Sequence, residues 1–342
     1  LFPVSVKSSG SGETTLTLKV MGKGASDGIT KTIPIMIMRY PETVALYGML
    51  SNQQNRASNV ITVTTNVMPD LSSLEVTVAP TAFVELKGNL DYLVSYPYGC
   101  VEQKTSRILP LITGEDVILK YKLLRTKTRE DLRAIVQEVM NEVPEYFKGK
   151  GFSYWKDSSY VSGYLTVYVF WVLTLARQAG YTINDAFYNR VFEVVKGYIQ
   201  KNTIPDDFSY SYRWLTICYA LYATSLNGYT DPSKFVWAYN EMKTRDPDNL
   251  SARAFFLMAL AKYPDFREKA AIQKELVEWF EARKRLTGAT LYFEDKTDWG
   301  WFYYSSSVGT ALVLQAYLTA GISLPDAYKV INFLVSQRRG YA

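Results

Sequence analysis

Two side chains three positions apart, Cys100 and Gln103, have the types and spacing to do chemistry. They lie in the segment Tyr96-Pro97-Tyr98-Gly99-Cys100-Val101-Glu102-Gln103. Pro97 restrains Tyr96 to extended backbone and Gly99 permits a tight turn, so a helix is expected to begin at about Cys100. Residues three apart share a helix face, which lets the Cys100 sulfur meet the side-chain carbonyl of Gln103. A thiol at a helix N-terminus also feels the positive end of the dipole, which favours its thiolate. A thiolate held against a side-chain amide can displace ammonia and leave an internal thioester, an acylating agent stored inside the protein. Making it requires no metal, cofactor or imidazole.

Several residue types are scarce enough to exclude other chemistries. The chain has no histidine, which removes Ser-His and Cys-His nucleophile pairs and imidazole metal sites. Its two cysteines, Cys100 and Cys218, allow one disulfide at most, so a disulfide scaffold and a Cys-rich zinc site are both excluded. Cys218 sits inside the apolar run TICYALYA and reads as a small core residue. With 38 basic against 33 acidic side chains and no Lys/Arg run, nothing points to nucleic acid. The longest apolar stretches, such as 164–176, fall short of the roughly 18–20 residues that span a bilayer, so a buried helix is expected there.

The elements that must position the pair change character near residue 80. Before it, β-rich runs at 14–20, 31–38, 60–67 and 74–79 are separated by breaks such as Ser8–Gly12 and Gly22–Gly28. The alternation of Leu16, Leu18 and Val20 marks a half-buried strand. These runs read as β-sandwich material too short to close a sandwich. After residue 80, helices are expected near 82–95, 101–112, 129–147, 161–179, 184–201, 211–227, 233–244, 249–263, 267–287, 306–320 and 324–337. Their starts include Asn184-Asp185, Asp231-Pro232, Asp248 and Leu324-Pro325-Asp326, and their stops Gly180, Gly228 and Gly321. Helices apolar nearly all round (161–179, 211–227, 306–320) alternate with amphipathic ones (129–147, 267–287), the pattern two concentric layers require. The fold class expected is therefore mainly α, an α/α toroid, with a looser helical solenoid as the alternative. Aromatic connections at 151–155, 208–212 and 299–304 recur between helices as a weak internal repeat, and packing is the default reading for them.

The segment PYGCVEQ resembles the hallmark Pro-Tyr-Gly-Cys-Gly-Glu-Gln of the α2-macroglobulin and complement thioester family, differing only at Val101. A larger residue at that position is common in bacterial α2-macroglobulins. TSRILP (105–110), GFSYW (151–155), 164–181 and SSSVGTALVLQAYL (305–318) also look like the family's helical domain. The resemblance implies a macroglobulin-like β-domain end at 1–40, the first part of a CUB-like β-domain at 41–80, and a thioester domain at 81–342, truncated at its C-terminus. Starting at Leu1 with no leader, the chain reads as an excised piece of something larger.

By the same resemblance, Cys100 and Gln103 form the thioester, with Pro97, Tyr98, Gly99 and Glu102 completing the motif. Cleavage of a bait elsewhere in the protein exposes the bond, and a lysine amine of the attacking protease is acylated. Such a trap is used once and is not an enzyme, and it needs no cofactor. With no histidine to assist transfer to hydroxyls, the chain resembles members that react directly with amines. Tyr96 and Tyr98 are candidate shields against water, with the 299–304 cluster a remoter one. Target proteases are the expected partners, with a soluble isolated chain in a periplasmic or cell-surface bacterial setting; an inner-membrane anchor on the full-length protein stays open. Two other readings remain. One is a toroidal polysaccharide-active enzyme drawing carboxylates from Asp157, Glu294, Asp295 or Asp298. The other is a non-covalent helical-repeat binding module.

Overall fold

A computed structural model describes residues 12–35, 86–96, 99–124, 127–206, 209–288, 290–295 and 305–337, with shorter runs between 50 and 78. The chain divides into two compact units, residues 1–47 with 339–342, and residues 48–338. In the first unit, β1 (Gly12–Gly22) and β2 (Ala25–Ile35) form an antiparallel hairpin. Gly24, at φ +92°, supplies the left-handed backbone of its two-residue turn. Thr17 and Thr30 share a cross-strand hydroxyl hydrogen bond of 3.1 Å. The strand expected at 14–20 is thus present and longer than its alternating core. The second begins at Ala25, inside the expected break. The half-buried face is not realised: Leu18 and Val20 are 60% and 74% exposed, because no second layer of described residues covers the ribbon. The runs at 60–67 and 74–79 form no strand among the described residues; a strand exists only through pairing, and none of them pairs.

The second unit is helical. α1 (Lys87–Ser95), α2 (Val101–Thr113), α3 (Glu115–Lys120) and α4 (Arg129–Glu142) come first. They are followed by α5 (Gly163–Gln178), α6 (Asp185–Lys201), α7 (Tyr210–Ser225), α8 (Pro232–Arg245), α9 (Leu250–Lys262) and α10 (Lys269–Glu281). A hairpin of β3 (Lys284–Thr287) and β4 (Thr290–Phe293) precedes α11 (Ser306–Ala320) and α12 (Ala327–Ser336). Side-chain caps fix most of these starts: Thr128, Ser162, Asn184, Ser209, Asp231, Asn249 and Ser305 each accept from the backbone N–H three residues on. The cap of α9 is Asn249, one residue after the Asp248 expected from sequence. Gly321 closes α11 in the left-handed region.

Two layers follow from the packing. α2, α5, α7, α9 and α11 contact one another in succession, while α4, α6, α8, α10 and α12 lie against their flanks. This is the α/α-toroid arrangement. The inner helices are joined by aromatic contacts, with Tyr219 of α7 between Trp171 of α5 and Phe255 of α9, the last ring stacked at 4.0 Å. Every residue from Leu250 to Leu260 of α9 is buried, although 249–263 does not stand out among the apolar stretches. α11, apolar all round, is less enclosed, with Leu318 72% exposed. Cys218 is a fully buried core residue.

Three expectations are corrected. The helix expected over 267–287 stops at Glu281, and the remainder pairs as β3 with β4 through Gly288 at φ +57°; burial of Leu291 and Phe293 on one face anchors that hairpin. The helix expected over 129–147 tightens into a 3₁₀ turn at Val143–Tyr146, where Pro144 cannot continue the α-helical hydrogen bonding. The short α3 lies in a stretch where no helix was expected. Among the described residues, no helix is long and apolar enough to cross a membrane.

Candidate functional site

Cys100 is the N-cap of α2, in extended backbone at φ −66°, ψ 169°. Its side chain and that of Gln103 form a reciprocal capping box. The sulfur faces the Gln103 backbone N–H, and Oε1 of Gln103 accepts from the Cys100 N–H at 3.2 Å. One helical turn therefore directs both side chains back onto each other's backbone N–H. The N–H on Oε1 polarises the Gln103 carbonyl.

The aromatic loop after α4 supports this turn. The Tyr154 carbonyl accepts from the Val101 N–H at 3.0 Å, satisfying one of the free donors at the start of α2. Lys104 folds back over Gly99: a Cβ on Gly99 would lie 3.0 Å from Lys104 Cγ, which explains the need for glycine in space rather than in φ. The Lys104 ammonium then meets both oxygens of Glu142 at 2.6 and 2.7 Å. Lys156 reaches the same carboxylate at 2.8 Å, and the Tyr146 hydroxyl donates to it at 3.2 Å. Burial opposes ionisation of Glu142, but the hydrogen bonds from Lys104 and Lys156 outweigh it and hold its carboxyl at about 2. This network ties α2, the end of α4 and the following loop together, and no local sequence pattern announces it.

The thiol itself departs from expectation. Cys100 is 7% exposed, and burial pushes its pKa up; hydrogen bonds from the Gln103, Glu102 and Cys100 amides pull the other way and lose. A buried thiol here is thus not a resting thiolate, because desolvation exceeds what the helix terminus returns.

Beside the pair lies a cleft of about 360 Å³, lined on one side by Gly99, Glu102, Gln103, Lys104, Ser106 and Arg107. Tyr92 and Leu93 from α1, with Tyr96 at its C-cap, close another side, the Tyr92 and Tyr96 rings 5.8 Å apart. Tyr92 has no motif to mark it; its signal was its place four residues before Tyr96 on a helix. Pro97, Tyr98 and the 299–304 cluster lie outside the described residues. Of the carboxylates considered for a polysaccharide-active enzyme, Asp157 is exposed on the loop before α5 and Glu294 pairs with Arg285 at 2.6 Å. Asp295 packs near Gly309 of α11, and Asp298 is outside the described residues. None of the described three reaches the cleft beside Gln103.

Residues 71–287 match the family model for the A-macroglobulin TED domain. The chain belongs to that family. Solved structures agree in fold. Native alpha-2-macroglobulin of E. coli aligns at TM-score 0.60 and 22% identity, over 74% of this chain and 15% of that one. Salmonella alpha-2-macroglobulin reacted with methylamine aligns at TM-score 0.61 and 19% identity, over 74% and 16%. E. coli alpha-2-macroglobulin activated by porcine elastase aligns at TM-score 0.59 and 22% identity, over 76% and 23%. The chain thus spans between about a seventh and a quarter of these relatives' lengths. No curated protein matches it by sequence.

Proposed function

We propose that this TED-family chain carries an internal thioester between Cys100 Sγ and Gln103 Cδ, and serves in a protein that traps proteases covalently. The capping box supports this most strongly, since it sets the sulfur, the carboxamide and a carbonyl-polarising N–H within one turn. Attack of the sulfur on Cδ expels ammonia. Later a lysine amine adds to the same carbon, the C–S bond breaks, and the sulfur leaves to become the Cys100 thiol. Burial keeps that thiol protonated, which favours the amide product over return to thioester. The product is an amide, so capture is permanent and each molecule reacts once; the chain is a reagent rather than a catalyst. Residues 81–342 form the thioester-bearing domain in this reading, with 1–40 and 41–80 belonging to flanking β-domains. Relatives from E. coli and Salmonella support a bacterial setting, and in this reading the protein acts at the periplasm or cell surface.

A peptide with a single lysine, incubated with the protein, should become joined to Gln103 by a bond that survives denaturation. The Cys100→Ala protein should form none. Release of the peptide from the wild-type protein on denaturation would overturn the reading. Tyr96 lines the cleft beside Gln103, so we assign it a shielding role. Tyr96→Ala should release the Cys100 thiol on standing several-fold faster than wild type, read by thiol titration; an unchanged rate would remove Tyr96 from that role.

A further inference from the structure

Glu102 lies between the two reacting residues in sequence, and its side chain is built into a chain of hydrogen bonds. Ser106 Oγ donates to Glu102 Oε1 at 2.8 Å. Ser106 Oγ and the Tyr168 hydroxyl are 2.7 Å apart. Since the single Ser106 hydrogen is engaged by Glu102, the Tyr168 hydroxyl must be the donor of that second bond. Tyr168 comes from α5 and packs against Trp171. The carboxylate of Glu102 is thereby oriented from a second helix, with Oε2 left without a hydrogen bond from any described residue. Glu102 and Ser106 both line the cleft that contains Gln103.

The chemistry of the cleft calls for such a group. A lysine side chain arrives as an ammonium, which has no lone pair to attack with, and this chain has no histidine to take the proton. Among the described residues, three carboxylates reach the cleft: Glu102, Glu138 and Glu142. Glu142 is consumed by Lys104, Lys156 and Tyr146 and is held too acidic to accept a proton near neutrality. Glu138 is exposed, and no hydrogen bond from a described residue holds it. Of the two cations that line the cleft, Lys104 is neutralised by its pairing with Glu142, which leaves Arg107.

We infer that Glu102, held by Ser106 and Tyr168, is the general base that receives the acceptor's proton when a lysine amine attacks the thioester. This rests on the thioester reading above. The acceptor ammonium binds Oε2 and transfers one proton to it as nitrogen bonds to Gln103 Cδ. The tetrahedral oxygen is met by the Cys100 N–H. The C–S bond then breaks, the second proton lost by nitrogen passes to the departing Cys100 sulfur, and Glu102 releases the first to solvent, leaving amide and thiol. Ser106 and Tyr168 are positioning residues.

The test compares methylamine with hydroxylamine, whose nitrogen is already uncharged at neutral pH. Proteins are first weighed intact: a thioester-bearing chain is lighter than its sequence by one ammonia. Glu102→Gln should retain that mass deficit and react with methylamine about 100-fold more slowly, the usual worth of a positioned base. Its reaction with hydroxylamine should change several-fold at most. Ser106→Ala, in which Glu102 is present but unheld, should show the same selectivity with roughly a tenfold slowing. Glu138→Gln should react as wild type. Equal slowing with both nucleophiles, or no slowing in Glu102→Gln and Ser106→Ala alike, would overturn the role of Glu102 while leaving the thioester reading intact. A wild-type chain without the mass deficit and inert to both nucleophiles would remove the thioester itself, and Glu102's role with it.

Discussion

Gln103→Asn is expected to abolish acylation completely while leaving the helical unit folded. The change withdraws the carboxamide by one methylene. At the third position of α2, the side chain must reach back both to the Cys100 N–H, now 3.2 Å from Oε1, and to the sulfur. A shortened side chain can do neither, so ammonia is not expelled and no acyl group is stored. The structural cost is the loss of half a capping box, about 1 kcal/mol, which this core tolerates. The variant should therefore weigh what its sequence dictates, gain nothing on incubation with amine, and melt close to wild type. An amine adduct on the Gln103→Asn protein would show that the acyl carbon is not where α2 places it.

The second large effect concerns a residue far from the sulfur in sequence. Gly151 opens the aromatic loop at φ +149°, and a Cβ there would lie 2.4 Å from Thr166 Oγ1, 2.7 Å from Val161 Cγ1 and 2.8 Å from the Tyr198 hydroxyl. These neighbours are themselves committed. Thr166 Oγ1 accepts from the Phe152 N–H at 2.8 Å and donates to the Ser162 carbonyl at 2.6 Å, while Tyr198 donates to the Lys150 carbonyl at 2.9 Å. Gly151→Ala must displace the loop, combining backbone strain with overpacking at a cost of about 3 kcal/mol. Because the Tyr154 carbonyl of that loop caps the start of α2, the loss should reach the reactive turn. We expect a melting temperature lower by several degrees and faster spontaneous thiol release. A melting temperature within about one degree of wild type would show that the loop accommodates the methyl group.

Much of this was readable before any coordinates, and for physical reasons. The Cys100–Gln103 capping box is local, so PYGCVEQ and helical geometry suffice to set those two side chains on one turn. Helix starts at Asn184 and Asp231, and the stop at Gly321, are local too, because a cap is satisfied within three residues. What stayed hidden depends on distant parts of the chain. The Glu142 carboxylate meets Lys104 across 38 residues, and Tyr168 reaches Ser106 across 62; neither side chain carries a mark of its partner. The state of the thiol was misjudged because the helix dipole is visible in sequence whereas burial is not. Residues 284–287 were read as the end of a helix because apolar spacing over so short a span fits both periods, and only pairing across Gly288 decides it.

The central claim is that Cys100 and Gln103 are joined by a bond that amines can open. Treatment of the wild-type protein with methylamine, followed by intact mass and thiol titration, tests it most directly. The account predicts a gain of one methylamine, mapped to Gln103, together with one new thiol, mapped to Cys100. A protein that keeps its mass and shows both cysteines free before and after treatment would contradict it.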